Sequence, residues 1–291
     1  MTARRARLVL CAAAVACTPG ASLSAQATSA LMLVEAPSRV PSYAEPAGAV
    51  GVQPRAHYDA VFAPMRAVPP GVRRADVWKL GGMAVLAGLV ATVDRRGDAW
   101  ARRPGVRDND ALRVLSHVGD VNGTYGAIGI GPAAWLLGRA RGDSGTAVLG
   151  LRTTESVALS GVTISIVKAI SGRSRPYASA GNSPTRWDLF GGLRSDSTRS
   201  FASGHSAMSA AAAVALAAEW RRQGSQGWKT VGPPLVYALA GVTAGSRVRD
   251  RQHWLSDVVT GSAVGMLSAL VVRRWHDAHP GSRIDRTFLA R

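Results

Sequence analysis

Residues 246–272 read SRVRDRQHWLSDVVTGSAVGMLSALVV. The second half is apolar, broken only by Gly, Ser and Thr, and shows no period-two alternation. Its length and Ala content predict a helix over 258–272. The first half sets Arg247, His253 and Asp257 at the head of that helix. His253 and Asp257 are four apart, a spacing that puts both on one helix face. A carboxylate there can accept from one imidazole nitrogen, fix the tautomer and leave the other nitrogen as a nucleophile. The plain alternative is an i,i+4 pair on a solvated face; the adjacent Trp254 and the long apolar continuation weigh against it.

Two earlier stretches carry matching chemistry. At 168–176 the chain reads KAISGRSRP. Gly172 can end a helix carrying Lys168 in its last turn, and Pro176 pushes Arg175 into an extended shape. An ammonium and a guanidinium fork are complementary ways to hold a phosphate. At 203–205, Ser203 is a good N-cap, Gly204 lets backbone approach, and the free N–H groups of the first turn favour an anion. His205 lies in that turn, where an imidazole can protonate a leaving alkoxide. Alone, the first stretch reads as a solvated basic helix end and the second as a Ser cap with a surface His. Together, in order, the three name a reaction: histidine attack on a phosphoryl group.

The rest of the chain supplies a scaffold. Apolar stretches at 80–93, 125–137, 156–170, 207–218, 235–244 and 258–272 predict six helices, joined by Gly- and Arg-rich loops. Arg273 and Arg274 are expected to close the last helix. A membrane span needs about 20 apolar residues. The runs here are about 10 to 15, so buried helices of a soluble bundle would read the same way. Trp100, Trp187, Trp220, Trp228 and Trp275 fall near helix ends or in loops, as an interfacial belt would place them. His117 and Asp120 are expected in a solvated loop before the second helix, with a place at the pocket mouth as the alternative, and Arg249, Asp250 and Arg251 in a surface charge cluster. His57, His276 and His279 are expected to be exposed.

Composition narrows the partners. The 291 residues carry a formal charge of +17, and only Lys79, Lys168 and Lys229 among the 35 basic residues are lysines. Arginine spread along the whole chain argues against a nucleic-acid patch and suits anionic headgroups or phosphorylated substrates. Arg4, Arg5 and Arg7 precede an apolar stretch and then small residues ending Ala25-Gln26-Ala27, the pattern of an export signal. Both cysteines, Cys11 and Cys17, fall inside it. No internal disulfide or thiolate metal site is expected; lipidation at Cys17 is the alternative to cleavage. Seven prolines between 26 and 74 predict a linker or arm.

The three stretches resemble the signature of the type 2 phosphatidic acid phosphatase (PAP2) family, in the superfamily shared with bacterial acid phosphatases and vanadium haloperoxidases. The family pattern is Lys-x6-Arg-Pro, then Pro-Ser-Gly-His, then Ser-Arg-x5-His-x3-Asp. The chain matches at Lys168, Arg175, Pro176, Ser203, Gly204, His205, Ser246, Arg247, His253 and Asp257. It departs at Ala202, where the family has Pro, which bears on how rigid the preceding loop is. The resemblance implies an all-α, haloperoxidase-like bundle of about six apolar helices, embedded in a membrane. It also implies roles. His253 attacks phosphorus, Asp257 orients it and His205 protonates the leaving group. Lys168, Arg175, Arg247 and the Ser203–Gly204 backbone hold the phosphoryl oxygens. No metal or other cofactor is implied, and no carboxylate cluster suggests Mg²⁺ or Ca²⁺.

The expected organisation is a signal peptide (1–25), a Pro-rich arm (26–74), a PAP2-like domain (75–276) and a polar tail (277–291). The expected activity is metal-independent hydrolysis of a phosphomonoester or diphosphate, with a lipid phosphate as substrate and membrane lipids as partners. A soluble periplasmic acid phosphatase is the second reading and a vanadium haloperoxidase the third; Asp257 beside His253 favours a phosphatase. The expected location is the cell envelope, in the inner membrane with a periplasm-facing site or soluble in the periplasm. Six spans after a cleaved signal would instead put the site in the cytoplasm, so the outer-face reading needs an uneven tally of spans or a soluble fold.

Overall fold

A computed structural model describes residues 74–289, apart from 180 and 182. The expected signal and the arm up to residue 73 lie outside the described residues. The described chain is all-α, as expected, with no strand among the described residues. Its helices are α1 (Arg74–Ala91), α2 (Asp94–Ala101), α3 (Asp110–Val121), α4 (Ala127–Arg141), α5 (Ser144–Ser171), α6 (Gly204–Gln223), α7 (Gln226–Arg249), α8 (Leu255–Ala278) and α9 (Arg283–Leu289). A single turn, Pro104–Arg107, joins α2 to α3, and a π-helical turn, Asn122–Gly126, runs α3 into α4.

Each of the six apolar stretches falls on a helix, the first overrunning α1 by two turn residues and the second starting in the π turn, yet most of those helices extend well past the apolar run. Caps set the real limits. Asp143 accepts from the Thr146 amide (3.1 Å) and starts α5 twelve residues early, while Gly172, at φ +57°, ends it. The polar residues in that added length face inward: Arg152 pairs with Glu219 at 2.8 Å, both buried.

The alanine-rich α6 is the central rod, packed by α5, α7 and α8. Ala207, Ala211 and Ala217 are fully enclosed. Against it α8 presents Gly261 and Gly265. A β-carbon on Gly261 would stand 2.3 Å from the Ser203 carbonyl oxygen, and one on Gly265 2.0 Å from that of Ala207. Only hydrogen at these positions lets the two backbones touch, as small-residue helix pairs do. The contact brings the starts of α6 and α8 side by side, where the Ser203 amide donates to the Asp257 carbonyl (3.0 Å).

The C-terminal end differs from the expected polar tail. α8 runs on past Arg273 and Arg274 to Ala278, and α9 folds back. Leu289 packs with Ala147, Val148 and Leu151, and Trp135 meets Phe288 edge-on. His276 is buried, not exposed. Its Nε2 is 2.5 Å from Glu155 and its Nδ1 3.0 Å from Asp285, so carboxylates on α5 and α9 draw it inward.

The outer surface keeps many large apolar side chains. Val85 and Leu89 on α1, Ile128 and Leu136 on α4, Val162 and Ile166 on α5, and Val231 and Leu235 on α7 are all exposed. Among the described residues one helix, Leu255–Ala278, is long and apolar enough to cross a membrane, with mean hydropathy 1.7 over its best window, 44% of which is buried.

Candidate active site

The three stretches meet where α6 and α8 begin. Lys168 sits in the last turn of α5, and its ammonium donates to the Arg199 carbonyl at 2.6 Å. Its Cε lies 3.7 Å from where a β-carbon on Gly204 would be, so the ammonium stem lies over the N-terminus of α6. Ser203 caps that helix by accepting from the Ser206 amide. Arg175 is extended (φ −71°, ψ 152°), as Pro176 requires. Asp196, through Oδ1 (2.9 Å) and its carbonyl (3.0 Å), and the Gln252 side chain hold its guanidinium. Ala202 is fully buried with Ile164 and Ala207, and Phe201 packs on them. Packing therefore holds the loop that leads into α6.

His253 is almost fully buried. Its Nδ1 lies 2.6 Å from the Ser200 carbonyl, which can only accept, so Nδ1 carries the proton and Nε2 the lone pair. Burial first, then Lys168 and Arg175, holds the imidazole pKa well below the usual histidine value.

Here the structure corrects the expected pairing. His253 precedes α8, whose N-cap is Trp254, so His253 and Asp257 do not share a helix face. The carboxylate is 3.9 Å from Nδ1. Asp257 is instead taken up by three donors: the Trp254 amide (2.9 Å), the Ser200 hydroxyl (2.5 Å) and Arg173 (2.5 Å). The reason is helix capping, because a carboxylate at N3 reaches back to the N-cap amide. Asp257 thus grips Ser200 and Trp254, the residues that fix His253, and touches the imidazole only through them.

His205 is steered from α3 and the turn that follows it. Its Nε2 is 2.8 Å from the Thr124 hydroxyl and 3.4 Å from Asp120. Asp120 also pairs with Arg247 at 2.8 Å. The loop expected around His117 and Asp120 is helix α3, running into the π turn that presents Thr124. Such turns recur at functional sites. Arg249 and Asp250 are likewise not a loose surface cluster: Asp250 accepts from Ser116 (2.7 Å), and Arg251 pairs with Asp98 (2.7 Å).

Arg173 lies beneath the site, 3% exposed. It bridges Asp257 to Asp94 of α2 (2.8 Å), donates to Ser256 and the Pro184 carbonyl, and is sandwiched by Trp187 and Trp254. Nothing in the spacing singled out Arg173, Ser200 or Asp94. An amphipathic run behind the N-cap Asn109 was the available signal for α3. Among the described residues no group of three or more His, Cys, Asp or Glu is placed to share a metal ion.

Residues 150–280 match the PAP2 superfamily. That region is similar to the PAP2 superfamily. No curated protein and no solved structure matches the chain. The PAP2 match contains Lys168, Arg175, Ser203, Gly204, His205, Arg247, His253 and Asp257, while Asp94, Asp120 and Thr124 precede it. The match points to phosphoester chemistry.

Proposed function

We propose that the protein is a metal-independent phosphatase acting on a lipid phosphate, a phosphomonoester or diphosphate, through a phosphohistidine intermediate. One observation carries the reading. A buried neutral imidazole, locked by the Ser200 carbonyl, lies within electrostatic reach of Lys168, Arg175 and Arg247. In this scheme Nε2 of His253 attacks phosphorus, the bond to the leaving oxygen breaks, and His205, entering as the imidazolium beside Asp120, gives that oxygen a proton. Burial, then Arg247, holds the His205 pKa down to about 4, and the negative charge of a bound phosphate opposes that shift. Water then attacks the phosphohistidine and loses its proton to His205, releasing phosphate and restoring the His253 imidazole and the His205 imidazolium. The three cations and the α6 amides after Ser203 stabilise the charge on the phosphoryl oxygens. Asp257 acts as a positioning residue through Ser200 and Trp254.

The lipid assignment rests on the exposed apolar side chains of α1, α4, α5 and α7, which suit a bilayer better than water. With the export signal, they support an envelope membrane location and a periplasm-facing site. A soluble exported phosphatase is the second reading; the burial of much of α8 favours it.

Membranes and salt-washed supernatant from expressing cells, assayed with p-nitrophenyl phosphate and phosphatidic acid in EDTA, separate these readings. Phosphatidate hydrolysis in the membrane fraction, EDTA-resistant and absent in His253→Ala, is the expected result. Full activity in His253→Ala refutes the mechanism, loss with EDTA refutes metal independence, and recovery in the supernatant favours the soluble enzyme.

A further inference from the structure

Between the first two stretches the chain makes a long excursion, and its segment 187–193 takes no part in the chemistry above. Backbone bonds fasten it to the end of α5: the Asp188 amide donates to Gly172 (3.0 Å) and the Phe190 amide to Ile170 (2.8 Å). Gly191 and Gly192 are buried there, and a β-carbon on Gly192 would stand 1.8 Å from the Lys168 carbonyl oxygen. The segment is therefore a plate pressed onto the turn that carries Lys168. Its side chains face away: Leu189 is 65% exposed, Phe190 51% and Leu193 70%. Trp187 is half-exposed, its ring stacked on Arg173 at 5.0 Å.

Water is a poor solvent for such a cluster, and the surroundings say what is a better one. Ile166 and Ile170 on α5 are exposed and continue the apolar surface down the helix. Arg186 and Arg194 are exposed beside the plate, Arg194 paired with Asp188 at 2.8 Å, while Arg173 and Arg175 are turned to the site and its carboxylates. Apolar tips flanked by arginine and an indole match the headgroup–acyl boundary of an anionic bilayer.

We infer that the 187–193 plate seats in the surface of an anionic lipid bilayer and sets the height of the Lys168–His253 site relative to the lipid phosphates. The inference rests on the lipid-phosphate reading above and adds the element that meets the lipid. Because the plate shares a backbone turn with Lys168, its depth and that of the phosphate-binding ammonium are one quantity.

The test uses the full chain with Cys11 and Cys17 replaced by Ser, reconstituted in vesicles of phosphatidylglycerol and phosphatidylcholine. Spin labels go on Leu189→Cys, Leu193→Cys and, as a water-facing control in the same loop, Thr185→Cys. Labels at 189 and 193 are expected to relax with oxygen rather than with a water-soluble nickel chelate, and the label at 185 the reverse. Equal nickel access at all three positions overturns the inference. In parallel, Leu189→Asp/Leu193→Asp is expected to cut hydrolysis of vesicle-borne phosphatidate about tenfold with p-nitrophenyl phosphate turnover unchanged. An equal fall on both substrates also overturns it. If the wild type cleaves no lipid phosphate, the functional reading fails by itself, whereas the label depths report on the plate without turnover.

Discussion

Replacing Arg173 with methionine tests how the site is held together. The guanidinium pairs with two carboxylates, Asp94 at 2.8 Å and Asp257 at 2.5 Å, and all three groups are essentially removed from water. Methionine keeps much of the stem that lies between Trp187 and Trp254 but leaves both carboxylates without their cation. Breaking a buried pair from one side costs about 3–5 kcal/mol, and the lost stacking of the cation on the two indoles adds about 1 kcal/mol. Each kcal/mol shifts the midpoint of a domain this size by about 2–4 °C, so the variant should melt about 10–20 °C lower. Circular dichroism at 222 nm in mild detergent reads this directly. Adding Asp94→Asn to Arg173→Met removes one orphaned charge and should restore about 1–3 kcal/mol relative to additivity. Because Asp257 would loosen its grip on Ser200 and Trp254, kcat should fall further than KM rises. A single variant melting within about 2 °C of wild type, or strict additivity in the double, would refute the account.

Further expectations follow from the same geometry. Thr124→Val removes the hydroxyl from His205 Nε2 and should lower kcat about tenfold with little change in melting temperature, as steady-state kinetics and a thermal melt together would reveal. The depressed His253 value means the unfolded chain takes up a proton before the folded one as pH falls through about 6.5. His253 therefore favours the folded state above that pH, and the advantage is lost on acidification; His253→Asn should flatten this part of the stability–pH curve. The same depression keeps Nε2 unprotonated, so the acid limb of kcat/KM should lie below about pH 6.5. Gly265→Val drives a branched side chain into the Ala207 backbone and should abolish the folded state or destabilise it by more than about 3 kcal/mol, measured by yield and melting of purified protein. Leu289→Ala should cost about 2–3 kcal/mol, because α9 is packed and not a free tail.

The order and number of the main apolar helices were legible because composition alone marks them. Their ends were not, because the first half of α5 holds Arg152 and Glu155, whose partners Glu219 and His276 lie on other helices, and Thr residues that bond back within α5. The eight site residues could be read from three local spacings, and the structure brings all three stretches to one place. The contacts that hold them could not be read this way. The Asp257 pairing inferred from the four-residue interval failed because a helix start lies between His253 and Asp257, and a cap outcompetes a distant imidazole. Asp120 could not be assigned a role for a different reason: its partners His205 and Arg247 lie 85 and 127 positions further along the chain, and a short amphipathic helix between apolar runs looks like a loop. The burial of His276 likewise depends on Asp285, which reaches it only because α9 turns back.

The bridge from Asp94 through Arg173 to Asp257 also bears on where the gene can be cut. A fragment trimmed to residues 150–280, the span that carries every motif, would take Asp94 from Arg173, leaving that guanidinium with Asp257 alone, and strip α9 from its flank. Such a fragment would keep every signature residue and lose contacts that hold them in place. Expression boundaries, chimeras and deep mutational libraries for this protein should therefore begin before Arg74 and run through Leu289.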